Sequence, residues 1–458
     1  MESVLLFILG VAVIFVGIAL SIGLHEIGHL LPAKLFGVKV TQYMIGFGPT
    51  LWSKKKGETE YGFKALPLGG YISMIGMFPP KKGEAVQSAS TGFFDTLVQE
   101  GGTEKKQGAM ATMVDDARQA SAESIGEGEG HRAFYKLPVF KRIIIMLGGP
   151  TMNLLIAIVL FSIVLMGFGT PQTSTTVGTV NACVLPATSD RQTCALGDEA
   201  SPGAAAGLQP GDRFVSIGGT AITSWSQSTQ IIRDAPGTAL QVVVDRAGTA
   251  TDLTITPRLT ERYVLDSAGK PTEDAAGNPI TEQVGFVGIG AAVETVRQPV
   301  TAVLPAVGST IASTAGIIIN LPQRLVDVAN AAFGPGERDP NGPISMVGVG
   351  RVAGEIASID TIPVADKVAS LLGVLGSVNI ALFVFNLVPL LPLDGGHVAG
   401  ALWEGIRRAF AKLFRRPEPG PVDMAKLMPL TLAVVILLGG MSLLLIYADI
   451  VKPVNLFG

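Results

Sequence analysis

Four stretches of the chain contain no charged residue and are each long enough to cross a bilayer as a helix: Val4–Leu24, Ile143–Gly169, Val368–Leu393 and Leu427–Ala448. A spanning helix needs about 20 apolar residues, because backbone groups in hydrocarbon find no water and must bond one another. The pattern predicts an α-helical polytopic membrane protein, and 48% hydrophobic against 16% charged side chains agrees with it. The first stretch lacks a basic leader and a small-x-small cleavage site and runs unbroken into His25 and Glu26, so it reads as a retained span. A fifth uncharged stretch, Gln298–Gln323, is interrupted by Pro299, Pro305, Pro322 and several Ser and Thr residues. It is predicted to be an interfacial or extracytoplasmic helix, which leaves four transmembrane helices.

Lysine and arginine near the spans set their orientation. The loop from Pro32 to Arg142 holds Lys34, Lys39, Lys54, Lys55, Lys56, Lys64, Lys136 and Lys141, and the loop after Leu393 holds Arg407, Arg408, Lys412, Arg415, Arg416 and Lys426. Both are predicted to be cytoplasmic. The segment Thr170–Asp366 is poorer in basic residues for its length and contains both cysteines, as expected outside the cytoplasm. Four spans then place both termini outside. Cys183 and Cys194 match no CxxC spacing, which leaves a local disulfide as their use. A net charge of −3 offers no basic surface for a phosphate backbone, so no nucleic acid is implied as a partner.

The organisation along the chain follows from these spans. Residues 1–37 carry the first, 136–170 the second, 366–397 the third and 427–458 the fourth with a C-terminal tail. Between the first two, 38–80 is predicted to be a cytoplasmic, membrane-associated β-hairpin region, since Val38–Met77 alternates apolar and polar residues around Gly46, Gly48, Gly57, Gly62, Gly69 and Gly70. Residues 81–135 are predicted to be a flexible cytoplasmic insertion, because Lys81–Gly130 is rich in Gly, Ala, Ser, Glu and Lys, with a solvent-exposed His131 just beyond. Residues 263–365 are read as an extracytoplasmic linker with the interfacial helix, and 398–426 as a cytoplasmic loop. Within 171–262, the run Ala205-Ala206-Gly207-Leu208-Gln209-Pro210-Gly211-Asp212, followed by Val215-Ser216-Ile217-Gly218-Gly219, resembles an extracytoplasmic α+β PDZ domain. Strands at Phe214–Ile217, Leu240–Asp245 and Asp252–Pro257 and a helix at Ser226–Arg233 are expected there.

The chemistry is concentrated at the end of the first span, in His25-Glu26-Ile27-Gly28-His29. Residues four apart share a helix face, so His25 and His29 can present imidazole nitrogens to one metal, with Glu26 beside them as a base for a metal-activated water. Ionisable groups inside a spanning helix cost about 2.5–3.5 kcal/mol each and normally mark a function. A catalytic zinc takes three protein ligands and keeps one position open. With His131 in the insertion, the third ligand is Asp394 or His397, in Asn386-Leu387-Val388-Pro389-Leu390-Leu391-Pro392-Leu393-Asp394-Gly395-Gly396-His397 at the end of the third span. The first and third spans run the same way under the charge assignment. Both candidates then meet the HExxH motif near the cytoplasmic face, and a fifth crossing would separate them.

HExxH in a first span, Asn-x-x-Pro and Leu-Asp-Gly-Gly ending a later one, and a PDZ-like stretch between them together resemble the RseP-type branch of the site-2 protease family, with the single PDZ domain of actinobacterial members. Gly46-Phe47-Gly48, Gly69-Gly70-Tyr71-x-x-Met74 and Gly148-Gly149-Pro150-x-x-Asn153 add to the likeness. Pro392 follows Asn386 by six positions, where some relatives have five. The resemblance implies an intramembrane zinc metalloprotease of a bacterial plasma membrane, with zinc on His25, His29 and Asp394 and Glu26 as catalytic base. It also implies substrate contacts from Asn386, Tyr71 and Met74; for the last two, packing is an equal expectation. The implied substrates are single-span membrane proteins such as anti-sigma factors already trimmed by an upstream site-1-type protease, or leftover signal peptides, in regulated intramembrane proteolysis. A soluble-domain zinc peptidase lacks its downstream Glu motif here, and a silent scaffold would not need the intact His25, Glu26, His29 and Asp394.

Overall fold

The computed structural model describes residues 2–79, 109–185, 189, 191, 193–265, 271–274, 278–336, 338–339 and 342–454. They form two units, 1–168 with 299–458 and, separately, 169–298. In the first, α1 (Glu2–Leu35) carries the first uncharged stretch and the HExxH motif as one helix. It leads into a β-meander built from β1 (Val40–Lys56) and β2 (Thr59–Met74), which turns at Gly57 with φ +64°. The start of β1 is flanked by Glu60–Phe63 on one side and Gly70–Met74 on the other, so Gly70–Met74 forms an edge of the sheet. Val38, Val40 and Met74 bury this sheet against Leu30 and Ala33 of α1 and against Phe134 and Ile145.

The flexible-insertion reading fails for its second half. Ala109–Glu123 forms α2, and the hydroxyls of its Ser121 and of Ser124, just past its end, accept from the Phe78 and Gly76 amides at 2.8 and 3.1 Å, while Arg118 pairs with Asp423. Ala117 is buried with Ala425 and Met428. Small residues that look solvating by composition here allow close helix packing. Residues 81–108, on which the rest of that reading falls, lie outside the described residues. His131 is exposed, as expected. Next comes α3 (Val139–Ser162), which meets α1 backbone to backbone: a Cβ on Gly28 would lie 2.9 Å from the Gly149 nitrogen.

The second unit is β-rich. Its elements are β3 (Thr170–Val180), α4 (Pro202–Ala205), β4 (Arg213–Ile217), β5 (Thr220–Ala221), α5 (Trp225–Arg233), β6 (Leu240–Arg246), β7 (Thr249–Ile255), β8 (Arg258–Tyr263), β9 (Thr281–Phe286) and β10 (Ile289–Val296). The main sheet has the order β10-β3-β4-β6-β7 with β5 on β4, and β8 and β9 form a separate hairpin. Val177, Phe214, Ile217, Val242, Val244 and Ile255 fill its core with Ile232 of α5. Cys183 and Cys194 are joined by a disulfide across a Cα separation of 5.9 Å.

The Leu208–Asp212 turn is held by charge. Asp212 is 1% exposed, accepts two bonds of 2.7 Å from Arg246 and takes the Gln209 amide at 2.9 Å. The Arg246 guanidinium holds the Asp212 carboxyl below the usual carboxylate range. With its folded pKa depressed, this group stabilises the unit fully above its unfolded value of about 3.9, and the contribution is lost as the pH falls through the lower folded value. Arg246→Met leaves a buried carboxylate unpaired and is expected to cost about 3 kcal/mol near neutral pH. The difference from the parent should shrink below about pH 4; chemical denaturation in a Trp52→Phe, Trp403→Phe background, followed by Trp225 fluorescence, measures both.

The chain re-enters the first unit through α6 (Val303–Ile319), α7 (Leu321–Phe333) and α8 (Met346–Ser358), then α9 (Val364–Asn386), α10 (Asp394–Leu413) and α11 (Met428–Val451). Of the segment 263–365, expected as a linker with one interfacial helix, 263–298 falls in the β-rich unit with β9 and β10, and the described remainder holds the three helices α6, α7 and α8. Gly350 and Gly354 of α8 lie against Phe15 and Phe7 of α1, and the Asp449 carboxylate of α11 holds the Ser345 amide at 2.6 Å while pairing with Arg338. Among the described residues, five helices are long and apolar enough to cross a membrane: Glu2–Leu35, Val139–Phe168, Val300–Ile319, Val364–Asn386 and Met424–Val451.

Four contacts fix helix directions around the site. Gly17 faces Leu375 and the Asn379 amide donates to Ser21 Oγ at 2.9 Å, so α1 and α9 run parallel. His29 meets Ile145 and His25 meets Asn153, so α3 runs antiparallel to α1.

Candidate active site

The two HExxH histidines lie one turn apart on α1, with Nε2 atoms 3.2 Å from each other. Each Nε2 is 3.3 Å from Asp394 Oδ2. The third span does not itself end in Asp394. After α9 stops at Asn386, the prolines at 389 and 392 keep Leu387–Leu393 out of a helix, and Asp394 opens α10 instead. Helix α3 holds both imidazoles from behind. His29 Nδ1–H donates to the Ile145 carbonyl at 2.7 Å, and the wholly buried amide of Asn153 stands 3.1 Å from His25 Nδ1. Among the described residues Asn153 Oδ1 has no hydrogen-bond partner, and an amide turned to present that oxygen accepts the His25 Nδ1–H.

This arrangement explains a conflict at Asp394. Its Oδ2 is buried without a hydrogen bond although two imidazole nitrogens stand within ion-pair range. With both Nδ1 atoms carrying the protons, each Nε2 offers a lone pair, so three electron-rich atoms face one point and none donates. Such a set requires a cation. Separations near 3.3 Å match the edges of a tetrahedral zinc site with bonds of about 2.0–2.1 Å, so the donor set His25, His29 and Asp394 fits zinc. Gly149 makes the approach of α3 possible, since a Cβ there would come within 2.6 Å of His25 Nε2.

Glu26 is 8% exposed and lies against the sheet edge, where a Cβ on Gly70 would come within 3.0 Å of its Cγ. A cleft of about 570 Å³ joins His25, Glu26, His29 and Asp394 to Gly70, Tyr71, Met74, Asn386 and His397. Every residue expected at the site therefore lines one cavity. Tyr71 also stacks on Phe47 at 6.3 Å and donates to Gln42, and Met74 is part of the sheet core, so both have packing roles as well. A larger hollow of about 740 Å³ in the β-rich unit gathers no carboxylate, histidine or cysteine. Asn153, Asn379 and the Arg142–Glu404 pair were not anticipated as supports. Their signal was available, since a polar residue within or beside an uncharged stretch is costly without a partner.

Residues 13–416 match the profile of peptidase family M50. The chain belongs to peptidase family M50. It is 32% identical to zinc metalloprotease Rip1 of Mycobacterium tuberculosis over 99% of this chain and 100% of that one, and equally identical to Rip1 of Mycolicibacterium smegmatis over the same shares. Metalloprotease MmpA of Caulobacter vibrioides is 26% identical over 87% of each chain. As an M50, site-2-type peptidase, this protein is a zinc metalloprotease, and its apolar helices make it a multi-pass membrane protein.

Proposed function

We propose that this M50 peptidase hydrolyses peptide bonds in the transmembrane segments of single-span membrane proteins, near the cytoplasmic face. The observation that carries the reading is the position of the site. His25, Glu26 and His29 lie in an apolar helix long enough to span, and the edge segment Gly70–Met74 borders the same cleft. A soluble peptidase has no need to keep its acid–base groups inside a membrane helix.

His25, His29 and Asp394 are the zinc ligands in this proposal, with Asn153 and the Ile145 carbonyl orienting the imidazoles. The ion, when bound, supplies Lewis-acid polarisation and lowers the pKa of a water. Glu26 takes a proton from the attacking water and passes it to the leaving amine. A helical substrate keeps its carbonyls in hydrogen bonds, so it must unwind first. The Gly70–Met74 edge offers free backbone groups on which the unwound segment can pair as an added strand, and Asn386 bonds that strand from the opposite wall.

Topology supports four crossings. Parallel α1 and α9, with their C-terminal ends meeting at one site, require both to cross in the same direction. If α6 crossed once between α3 and α9, that agreement would be lost; α6 is therefore assigned to the outer side with α7. The β-rich unit is read as an extracytoplasmic PDZ domain that screens substrates for earlier trimming, with pre-cut anti-sigma factors or signal peptides as the proposed clients. The test is cleavage of matched single-span substrates by purified protein in detergent. A segment with helix-breaking residues should be cut faster than an all-leucine one, and a zinc chelator should stop both. Equal rates would remove the unwinding step, and chelator-resistant cleavage would remove the zinc mechanism.

A further inference from the structure

Helix α10 has two dissimilar faces. One packs on the protein through Ala401, Glu404 and Ala411, all buried. The Glu404 carboxylate bonds Arg142 of α3, Arg408 and the Val422 amide, which fixes the helix against rolling about its axis. The other face carries Trp403, Ile406, Phe410 and Leu413 at spacings of three and four, and these are 57%, 48%, 57% and 74% exposed. No described residue covers this stripe. Exposed Arg407 and Lys412 flank it, and Arg415 and Arg416 follow the last turn; among the described residues none of the four has an ion-pair partner.

A fixed helix with an aromatic and aliphatic stripe bordered by basic residues matches an element lying in a membrane interface, its stripe among acyl chains and its cations at anionic headgroups. A cleft of about 210 Å³ beside Trp403, lined by Leu390, Ala399, Leu427 and Leu430, continues the apolar surface into the protein. We propose that α10 binds an anionic phospholipid leaflet and thereby sets the membrane depth of Asp394, its first residue. The functional half of this inference rests on Asp394 being a zinc ligand; the lipid contact does not.

The chain has three tryptophans, so Trp52→Phe with Trp225→Phe leaves Trp403 as the sole tryptophan, excited selectively at the long-wavelength edge, where tyrosine hardly absorbs. In nanodiscs containing brominated phosphatidylcholine, Trp403 should lose more than half of its emission. Proteolysis of a single-span substrate should rise several-fold when phosphatidylglycerol is included. The combined variant Arg407→Gln, Lys412→Gln, Arg415→Gln, Arg416→Gln should keep the activity seen in neutral discs and lose that rise. An unquenched Trp403 means that protein, a second copy included, covers the stripe, and overturns the proposal. So does an unchanged response to phosphatidylglycerol in the variant. Quenching requires neither zinc nor turnover, so an inactive protein with a quenched Trp403 would count against the proposed protease site and not against the lipid contact.

Discussion

Glu26→Gln is expected to keep zinc at one ion per chain and to lower turnover of a single-span substrate by about 10⁴-fold, the upper range for removing a general base. The substitution preserves shape and removes only proton affinity. Glu26 is not among the three residues whose donor atoms converge, and it packs against Gly70 of the sheet edge, so the donor set should remain in place. Metal analysis and single-turnover kinetics on the same preparation separate the two effects. Loss of zinc together with activity would mean that Glu26 helps to hold the ion, and turnover within tenfold of the parent would remove it as the base.

Replacement of Asp394 by Ala should abolish both zinc and activity, whereas His397→Ala should keep most of both. Asp394 Oδ2 is one of three mutually adjacent donor atoms, and His397, one turn further along α10, lines the cleft outside that set. Asn153→Leu should fall between them. Without an acceptor at His25 Nδ1 the ring loses its fixed tautomer, and zinc affinity should drop about 10–100-fold. Titration of the purified proteins with a competing chelator ranks the variants. Zinc retained in Asp394→Ala and lost in His397→Ala would reverse the ligand assignment.

Much of this site was readable from residue spacing. His25 and His29 are four apart on one helix, and that period alone brings their Nε2 atoms together. Spacing alone leaves the third ligand open between Asp394 and His397, and only the family resemblance selects Asp394, because the choice depends on the break at Leu387–Leu393 and on where α10 begins, which hydrophobic pattern does not encode. The α2 helix was missed because Ala and Ser that pack closely have the composition of a solvated segment. The α8 helix was missed for a related reason: its Gly348, Gly350, Ala353 and Gly354 are poor helix formers or small, and only the approach of Phe7 and Phe15 from α1 makes them a buried face. In the β-rich unit, expected strands at Leu240–Asp245 and Asp252–Pro257 correspond to Leu240–Arg246 and Thr249–Ile255, since period-two patterns fix a strand better than its ends.

The central claim is that the scissile bond lies within a transmembrane segment. Purified protein and a single-span substrate should be reconstituted into liposomes and the products sequenced by mass spectrometry, with Glu26→Gln and zinc-depleted samples beside them. The account predicts new termini inside the apolar segment, in its cytoplasmic half, absent from both controls. Cleavage confined to the substrate's soluble flanks, or persisting without zinc, would contradict it.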